Sequence, residues 1–307
     1  MTSSAGSIVI VGSINIDQLV TVSRLPLTGE TLFATTMAFL PGGKGANQAV
    51  AAARRGASVT MVAAVGDDIN AARAMELLVS SGVDVSRVAI VKGPTGLALV
   101  TADAVGENTI VVVPGANAAM DGDLVGAHAQ IIADAAVVVL QGEIPQSGIQ
   151  AALAACTGRV VLNLAPVISL DLESLRRADP LVVNEHEARQ LLGLLKPEIT
   201  FPMDDRECAQ EIRKCGVTSV VVTRGARGAV ICDRIGTTSV PSPKVVALDS
   251  SGAGDAFVGA LSASLARGVS LRDSVTDAVK VGAFAVQSLG TQASYPMMSD
   301  VLPEMQV

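Results

Sequence analysis

Short apolar runs alternate with amphipathic stretches along most of the chain. Six runs rich in β-branched residues are too short for helices and are predicted strands: residues 8–11, 59–65, 137–140, 160–164, 181–183 and 220–223. Stretches with helical spacing are predicted at residues 45–55, 71–81, 185–192, 207–215 and 256–266. Strands that are apolar on both faces indicate a sheet covered on both sides. The alternation therefore predicts an α/β fold with a doubly wound, mostly parallel sheet, which binds ligands beyond the carboxyl ends of its strands.

Two segments, 19–40 and 95–113, contain no predicted helix and alternate polar with apolar residues. Gly106-Glu107-Asn108 is typical of a hairpin turn. We predict one domain over residues 1–307, with a small β-sheet formed by insertions at about 17–41 and 95–113. Beside the ligand crevice such a sheet could act as a lid, and its apolar face could equally form a dimer interface.

Composition narrows the classes of function. The chain has 307 residues and a net charge of -7, which argues against a nucleic-acid-binding protein. Its apolar runs are shorter than a membrane span, and the N-terminus lacks the basic segment of a signal peptide. The four cysteines include no C-x-x-C pair, which argues against structural zinc and favours reduced thiols. We expect a cytoplasmic protein without nucleic-acid or membrane partners.

A glycine-rich loop at residues 249–255, with an aspartate at each end, precedes the apolar helix at 256–266. Small residues let its backbone approach a ligand closely, and the free N–H groups of a helix start bind anions such as phosphate. Asp255 has two interpretations. An acid at this position is commonly a helix cap, and a carboxylate beside an anion hole is also a possible general base.

A second glycine-rich stretch reads P-G-G-K-G-A-N-Q-A from Pro41 to Ala49. Adjacent glycines bring backbone amides close to a ligand, and Asn47 in the first helical turn can reach back toward it. The spacing differs from that of a P-loop and from that of the dinucleotide-binding motif.

Polar residues also follow several predicted strands. Asn15, Asp17 and Glu143 could bind sugar hydroxyls, although ordinary turn and solvated loop residues are the alternatives. Asn184 and Glu187 fit a helix capping box, or they could organise Mg²⁺ through water.

The loop from Thr223 to Gly228 has two glycines and suits a nucleotide's phosphates and ribose. A surface turn is the alternative, and it is the stronger interpretation for Arg227.

In this order, the motifs N-x-D, G-G-K-G-A-N-Q-A, N-x-x-E, T-x-G-x-x-G and G-A-G-D resemble those of the ribokinase-like carbohydrate kinases over essentially the whole chain. The resemblance implies ATP-dependent phosphorylation of D-ribose at its 5-hydroxyl. A fructokinase, deoxyribokinase, sugar-acid kinase or nucleoside kinase remains the alternative within the family. A sugar- or nucleotide-binding protein without catalysis is the alternative outside it.

The resemblance also implies roles for individual residues. Asp255 would be the general base, with the amides of Gly252, Ala253 and Gly254 as the anion hole. The implied sugar-binding residues are Asn15, Asp17, Gly42, Gly43, Lys44, Asn47, Glu143 and Asp255. The implied ATP-binding residues are Asn184, Thr223, Gly225, Gly228 and Gly254. Glu187 would organise Mg²⁺ indirectly.

The family further implies activation by K⁺ or a similar monovalent cation. The matching positions are Asp249, Ser251, Ala285, Ser288, Gly290 and Ser294. It also implies a homodimer formed through the β lid. Tyr295, next to the cation loop, receives no role from the sequence.

Overall fold

The computed structural model describes residues 6–103, 108–199 and 202–305, and its strands form two separate sheets. The strands are β1 (Ile8–Val11), β2 (Asn15–Thr21), β3 (Thr36–Gly42), β4 (Val59–Gly66), β5 (Asp84–Val91), β6 (Gly96–Ala102), β7 (Asn108–Val113), β8 (Val137–Gln141), β9 (Arg159–Asn163), β10 (Leu181–Asn184), β11 (Val220–Thr223), β12 (Ala229–Cys232) and β13 (Thr237–Val240). The helices are α1 (Lys44–Arg54), α2 (Asn70–Ser80), α3 (Gly122–Gly126), α4 (Ala129–Asp134), α5 (Gln146–Ala155), α6 (Leu172–Arg176), α7 (Glu185–Leu195), α8 (Asp205–Lys214), α9 (Ala253–Ala266) and α10 (Leu271–Ala285). Short 3₁₀ helices cover Gly115–Ala119, Gly225–Arg227 and Gln292–Ser294.

The larger sheet has the strand order β13-β12-β11-β10-β9-β8-β1-β4-β5. Its strands pair in parallel, except that β12 is antiparallel to both β11 and β13. All six predicted strands form in this sheet, and their ends agree with the prediction to within one residue. The predicted mostly parallel α/β sheet is therefore confirmed. Strand β5 was not predicted, because this edge strand is half-exposed and carries Asp84 and Arg87 instead of an apolar run.

Both faces of this sheet are covered by helices, as the continuous apolar strands require. Successive residues of a strand point to opposite faces, and Ile8 and Ile10 join one buried cluster while Val9 and Val11 join the other. The first cluster includes α1, α9 and α10, and the second includes α5, α7 and α8. A strand with two buried faces has no polar face, which explains why the sequence shows apolar runs there.

Helices α1 and α9 pack unusually closely within the first layer. A Cβ atom placed on Gly259 would lie 2.5 Å from the Cβ of Ala51 and 2.6 Å from the carbonyl oxygen of Gln48. Only glycine leaves room for this contact. The α9 helix is buried continuously from Asp255 to Leu265, so its first turn is fixed against α1.

The smaller sheet has the order β3-β2-β6-β7 and begins where β1 ends. Strand β2 pairs antiparallel with β3 and parallel with β6, so that Asn15 lies opposite both Gly42 and Gly96. These strands come from the two segments without predicted helices. The predicted turn at Gly106 and Glu107 lies outside the described residues.

Over the described ranges, every helix falls short of the length and apolar character that a membrane crossing needs.

Candidate active site

A cleft opens where the carboxyl ends of β9 to β11 meet the start of α9. Its lining residues are Lys44, Asn163, Ala165, Val182, Asn184, Glu187, Thr223, Gly252, Gly254, Asp255 and Val258. Most of them were predicted as site residues from separate parts of the sequence. The sheet brings together those that follow strands, because its parallel strands end at this edge.

The glycine-rich turn at the start of α9 provides the free backbone amides of the cleft. Gly252 is the N-cap with φ of 70°, a left-handed conformation that favours glycine, and the helix begins at Ala253. First-turn N–H groups have no acceptor within the helix, and the positive end of the helix dipole lies there. Of the three predicted amides, that of Ala253 already donates to the Ser250 carbonyl at 3.3 Å.

Tyr295 holds this turn in place. Its phenol donates a hydrogen bond to the carbonyl of Gly252 at 3.0 Å, and Arg54 donates to the Tyr295 carbonyl at 2.9 Å. Tyr295 is buried, and burial raises its pKa well above the usual value, so the phenol keeps its proton. The residue that the sequence left without a role thus links the loop after α10 to the glycine-rich turn.

Asp255 lies in the first turn of α9 and is 7 % exposed. Its Oδ2 accepts a hydrogen bond from Asn47 Nδ2, and its Oδ1 accepts one from Gln48 Nε2, both at 2.9 Å. The carboxylate makes no capping hydrogen bond to the helix. The interpretation of Asp255 as a helix cap is therefore wrong, because the carboxylate accepts its hydrogen bonds from the side-chain amides of Asn47 and Gln48 on α1.

Asp17, on β2, faces the same region. A Cβ atom on Gly42 would lie 2.2 Å from its carboxylate oxygens, so the carboxylate lies directly over that glycine. Burial, followed by the charges of Glu143 and Asp255, raises the pKa of Asp17 to about 7. Three of the predicted acids thus come close enough to influence one another.

Asn15 and Glu143 are both held by hydrogen bonds from neighbouring loops. Asn15 Oδ1 accepts from Asn117 Nδ2 at 2.7 Å, which leaves its own amide N–H groups as donors. Glu143 Oε2 accepts from Ser13 Oγ at 2.6 Å and from the Lys44 backbone N–H at 3.0 Å. The sequence did not predict Ser13 or Asn117. Ser13 donates a hydrogen bond to Glu143, and Asn117 donates one to Asn15.

The Lys44 side chain is a cation among carboxylates. The charge of Asp255 contributes most to raising the pKa of Lys44, and Glu143, Glu187 and Asp17 add to the effect. The sequence placed Lys44 with the sugar-binding residues. In the structure Lys44 lines the cleft together with Asp255 and Glu187.

Asn184 and Glu187 form the predicted capping box and also line the cleft. Asn184 Oδ1 accepts from the Glu187 N–H at 2.8 Å, and Glu187 Oε2 accepts from the Asn184 N–H at 2.7 Å. The two interpretations of this motif are therefore compatible. Burial raises the pKa of Glu187 above its usual value.

The loop after β11 contains the remaining predicted nucleotide-binding residues. Thr223 lines the cleft, while Gly225 and Gly228 lie in the turn that follows. Arg227 forms ion pairs with Glu185 and Asp205, which agrees with a surface position. These pairs fix the turn against the starts of α7 and α8.

The predicted cation-binding positions come from two segments that hydrogen-bond to each other. Asp249 Oδ1 accepts from the Ser251 N–H at 2.8 Å, and its Oδ2 accepts from the Gly290 N–H at 2.9 Å. Burial opposes ionisation of Asp249, but these hydrogen bonds outweigh it and hold the pKa below its usual value. Ala285 ends α10, and Ser288 follows it in the same loop. Ser294 donates to a backbone carbonyl at 2.8 Å.

The sequence did not predict the buried amides behind the site. Gln48 Nε2 donates to Asn163 Oδ1 at 2.9 Å, Gln141 Nε2 donates to Gln48 Oε1 at 2.8 Å, and Gln292 Nε2 donates to Asn47 Oδ1 at 2.9 Å. A signal was present, because Gln141 and Asn163 end the apolar strands β8 and β9. Polar residues at that position of a buried strand are costly unless they are hydrogen-bonded.

In the part of the chain that the structure describes, no three His, Cys, Asp or Glu residues are grouped to hold a metal ion.

Comparison with known proteins agrees with this geometry. A family model described as pfkB family carbohydrate kinase matches residues 5–298. A ribokinase of Schizosaccharomyces pombe is 35% identical, covering 96% of this chain and 96% of that protein. A deoxyribokinase of Salmonella typhimurium is 33% identical, covering 94% and 95%. The structure of an Arabidopsis thaliana ribokinase complexed with ribose and ATP superposes with a TM-score of 0.85 at 30% identity, covering 96% of each chain.

The raised pKa of Asp17 predicts a pH-dependent cost in stability. Folding raises the pKa of Asp17 from 3.8 to about 7. Between pH 3.8 and about pH 7 the folded state therefore holds more of the Asp17 proton than the unfolded state does. Stability therefore falls as pH rises through this window, and the cost is complete above about pH 7. We expect Asp17→Asn to stabilise the protein, by on the order of 1 kcal/mol more at pH 8 than at pH 5.5.

Guanidinium unfolding at the two pH values measures this difference. The control is Asp134→Asn, which removes a carboxylate at the exposed end of α4. An equal gain from Asp17→Asn at both pH values would contradict the prediction.

Proposed function

The chain belongs to the pfkB family of carbohydrate kinases, and we propose that it transfers the γ-phosphoryl group of ATP to the 5-hydroxyl of D-ribose. It is a phosphotransferase that acts on a sugar hydroxyl, and its ligands are a small sugar and a nucleotide. The observation that carries the proposal is the position of Asp255. This buried carboxylate lines the cleft together with the turn at the start of α9, and it is close enough to Asp17 on β2 to affect the pKa of Asp17.

We assign the proton transfer to Asp255. The sugar hydroxyl oxygen bonds to the γ-phosphorus, the bond from that phosphorus to the β–γ bridging oxygen breaks, and ADP leaves with the electron pair. Asp255 accepts the hydroxyl proton. The turn amides at Gly252 and Gly254 and the ammonium group of Lys44 stabilise the charge on the transferred oxygens, which is the main requirement of this reaction.

We assign sugar binding to the β2 side of the cleft. Asp17 accepts hydrogen bonds from sugar hydroxyls, and Asn15 donates through the amide nitrogen that Asn117 leaves free. Glu143 holds the start of α1 and adds a further acceptor. Because Asp17 is part of the small sheet, sugar binding would also favour closure of this sheet as a lid.

ATP-dependent kinases of this family use a divalent metal such as Mg²⁺ with their nucleotide. Mg²⁺ commonly keeps several waters and takes one or two carboxylates together with substrate phosphates. The cleft fits this mode, since Glu187 supplies a carboxylate whose Oε1 is not used in the capping box. The ion would neutralise phosphate charge, and Glu187 would hold its water shell in place.

2-Deoxyribose is the second candidate substrate, because a relative of similar identity is a deoxyribokinase. A site built to hydrogen-bond a hydroxyl rejects the analogue that lacks it, since its polar groups are then left unpaired.

Free cysteines and a nucleotide donor favour the cytoplasm as the place of the reaction.

An ADP-coupled assay with ribose, 2-deoxyribose, fructose and adenosine tests the proposed reaction. We expect the highest kcat/KM with ribose, and we expect activity to require Mg²⁺. Asp255→Asn removes the general base and should lower kcat by about 10²- to 10⁴-fold. Calorimetry should show that this variant still binds ribose. Near-normal turnover by Asp255→Asn would refute its assignment as the base.

A second prediction concerns K⁺. Asp249 and the carbonyls around it offer oxygen ligands next to the anion-binding turn, so we expect K⁺ to raise kcat. Asp249→Ala should remove most of this stimulation. Tetramethylammonium chloride at the same ionic strength is the control, because its cation is too large for such a site. Equal stimulation by both salts would count against a specific cation site.

The small sheet also supports a homodimer. Strand pairing places Leu19, Leu40, Val100, Ile110 and Val112 on the same face as Asp17. The outer part of this face is solvent-accessible, with Ile110 57% and Val112 47% exposed. A contiguous apolar face beside a ligand site is typical of an interface, and we propose that a second copy of the chain covers it.

Light scattering tests the dimer. We expect a mass of two chains for the wild type and of one chain for Ile110→Glu, because the new charge would be buried in the interface. Val111→Glu is the matched control, since Val111 is similarly exposed but points to the opposite face. A monomeric wild-type protein, or equal effects of both variants, would contradict this arrangement.

A further inference from the structure

We propose that Gln141 and Gln292 are positioning residues, which orient the Gln48 and Asn47 amides that hold Asp255. Each amide that donates to Asp255 receives a hydrogen bond from one of these glutamines. The inference rests on the proposed role of Asp255 as general base and adds to it the groups that fix the direction of its carboxylate.

The geometry forms two arms that meet at Asp255. In the first arm, Gln141 Nε2 donates to Gln48 Oε1 at 2.8 Å, and Gln48 Nε2 donates to Asp255 Oδ1 at 2.9 Å. In the second, Gln292 Nε2 donates to Asn47 Oδ1 at 2.9 Å, and Asn47 Nδ2 donates to Asp255 Oδ2 at 2.9 Å. Each carboxylate oxygen thus receives one amide donor, which fixes the plane of the carboxylate group.

The two outer glutamines stabilise the direction in which the inner amides face. A side-chain amide has a donor end and an acceptor end, and it can satisfy an acidic partner only with its donor end. Asp255 requires the Nε2 end of Gln48, and the donor that Gln141 supplies to Gln48 Oε1 stabilises this same orientation. Gln48 Nε2 also donates to Asn163 Oδ1, and Asn163 Nδ2 donates to the Val182 carbonyl at 3.1 Å, which orients the Asn163 amide.

Burial separates these glutamines from ligand binding. Gln48 and Gln141 are 0 % exposed and Gln292 is 1 % exposed, so their side chains present no surface to the cleft. They reach a substrate only through Asp255 and Asn47. Their effect is therefore expected in the transfer step, where a small misplacement of the reacting groups can cost on the order of 10²-fold in rate.

Backbone packing makes room for the first arm. A Cβ atom on Gly12 would lie 1.9 Å from Gln141 Oε1, so glycine at this position leaves the space that the Gln141 side chain occupies. The close contact of Gly259 with α1 brings Gln48 within hydrogen-bonding distance of Asp255. The second arm depends on the loop after α10, where Arg54 donates to the Gln292 carbonyl at 2.6 Å.

A double-mutant cycle with Gln48→Met and Gln141→Met tests the first arm. Methionine keeps a similar length and lacks the amide. We expect kcat to fall roughly 10- to 100-fold for Gln48→Met and roughly 3- to 10-fold for Gln141→Met, with KM for ribose changed less than about 3-fold. The double variant should match Gln48→Met alone, because Gln141 acts through Gln48.

Gln292→Met tests the second arm and should also lower kcat. Gln150→Met is the matched control, since Gln150 donates to the carboxylate of Asp171 at 2.7 Å outside the site. We expect wild-type kcat for this control. Circular dichroism and thermal melting identify the folded variants, and Gln141→Met and Gln292→Met each test the proposal independently if Gln48→Met does not fold.

Three results would overturn the inference: unchanged kcat in the folded Gln141→Met and Gln292→Met variants, effects that add fully in the double variant, or a change confined to KM. The wild-type assay separates this failure from failure of the proposed function. A wild-type protein that phosphorylates no sugar refutes the function, while an active wild type with unaffected variants refutes only the positioning role.

Discussion

The close packing of α1 against α9 is the constraint on which the site depends. Gly259 lets the two helix backbones approach, and the amides at the start of α1 then meet the carboxylate at the start of α9. An acid in the first turn of a helix would otherwise cap its own backbone or face solvent. Here the amides of Asn47 and Gln48 donate hydrogen bonds to a buried carboxylate. These hydrogen bonds offset the free-energy cost of removing the carboxylate from water.

Electrostatics around this carboxylate balances repulsion and attraction. Asp17, Glu143 and Glu187 place further negative charge near Asp255, and Lys44 partly compensates for it. Burial is the main cause of the raised pKa of Asp17, and the charges of Glu143 and Asp255 add to it while Lys44 lowers it. Such a site favours ligands that bring hydroxyl donors to the acids and phosphate to the lysine and the turn amides. Perturbed pKa values of this kind are common at functional sites.

The loops around the anion-binding turn form one connected unit. Tyr295 donates to the Gly252 carbonyl, Asp249 accepts from Gly290, and Gln292 donates to Asn47. The loop after α10 therefore contacts Asp249, the glycine-rich turn and α1. A change in this loop would affect all three regions together, because they share these hydrogen bonds.

The sequence alone determined the sheet and its buried strands, since a strand covered on both faces has to be apolar throughout. It also marked Asp255 and the glycine-rich turn, because an anion-binding backbone needs small residues in a recognisable order. It could not decide whether Asp255 caps its helix, because that depends on Asn47 and Gln48, more than 200 residues away. Gln292 and Tyr295 gave no local signal for the same reason, and the polar end of strand β8 marked Gln141 without showing its partner. Their function depends on which side chain they meet, and only tertiary packing brings those partners together.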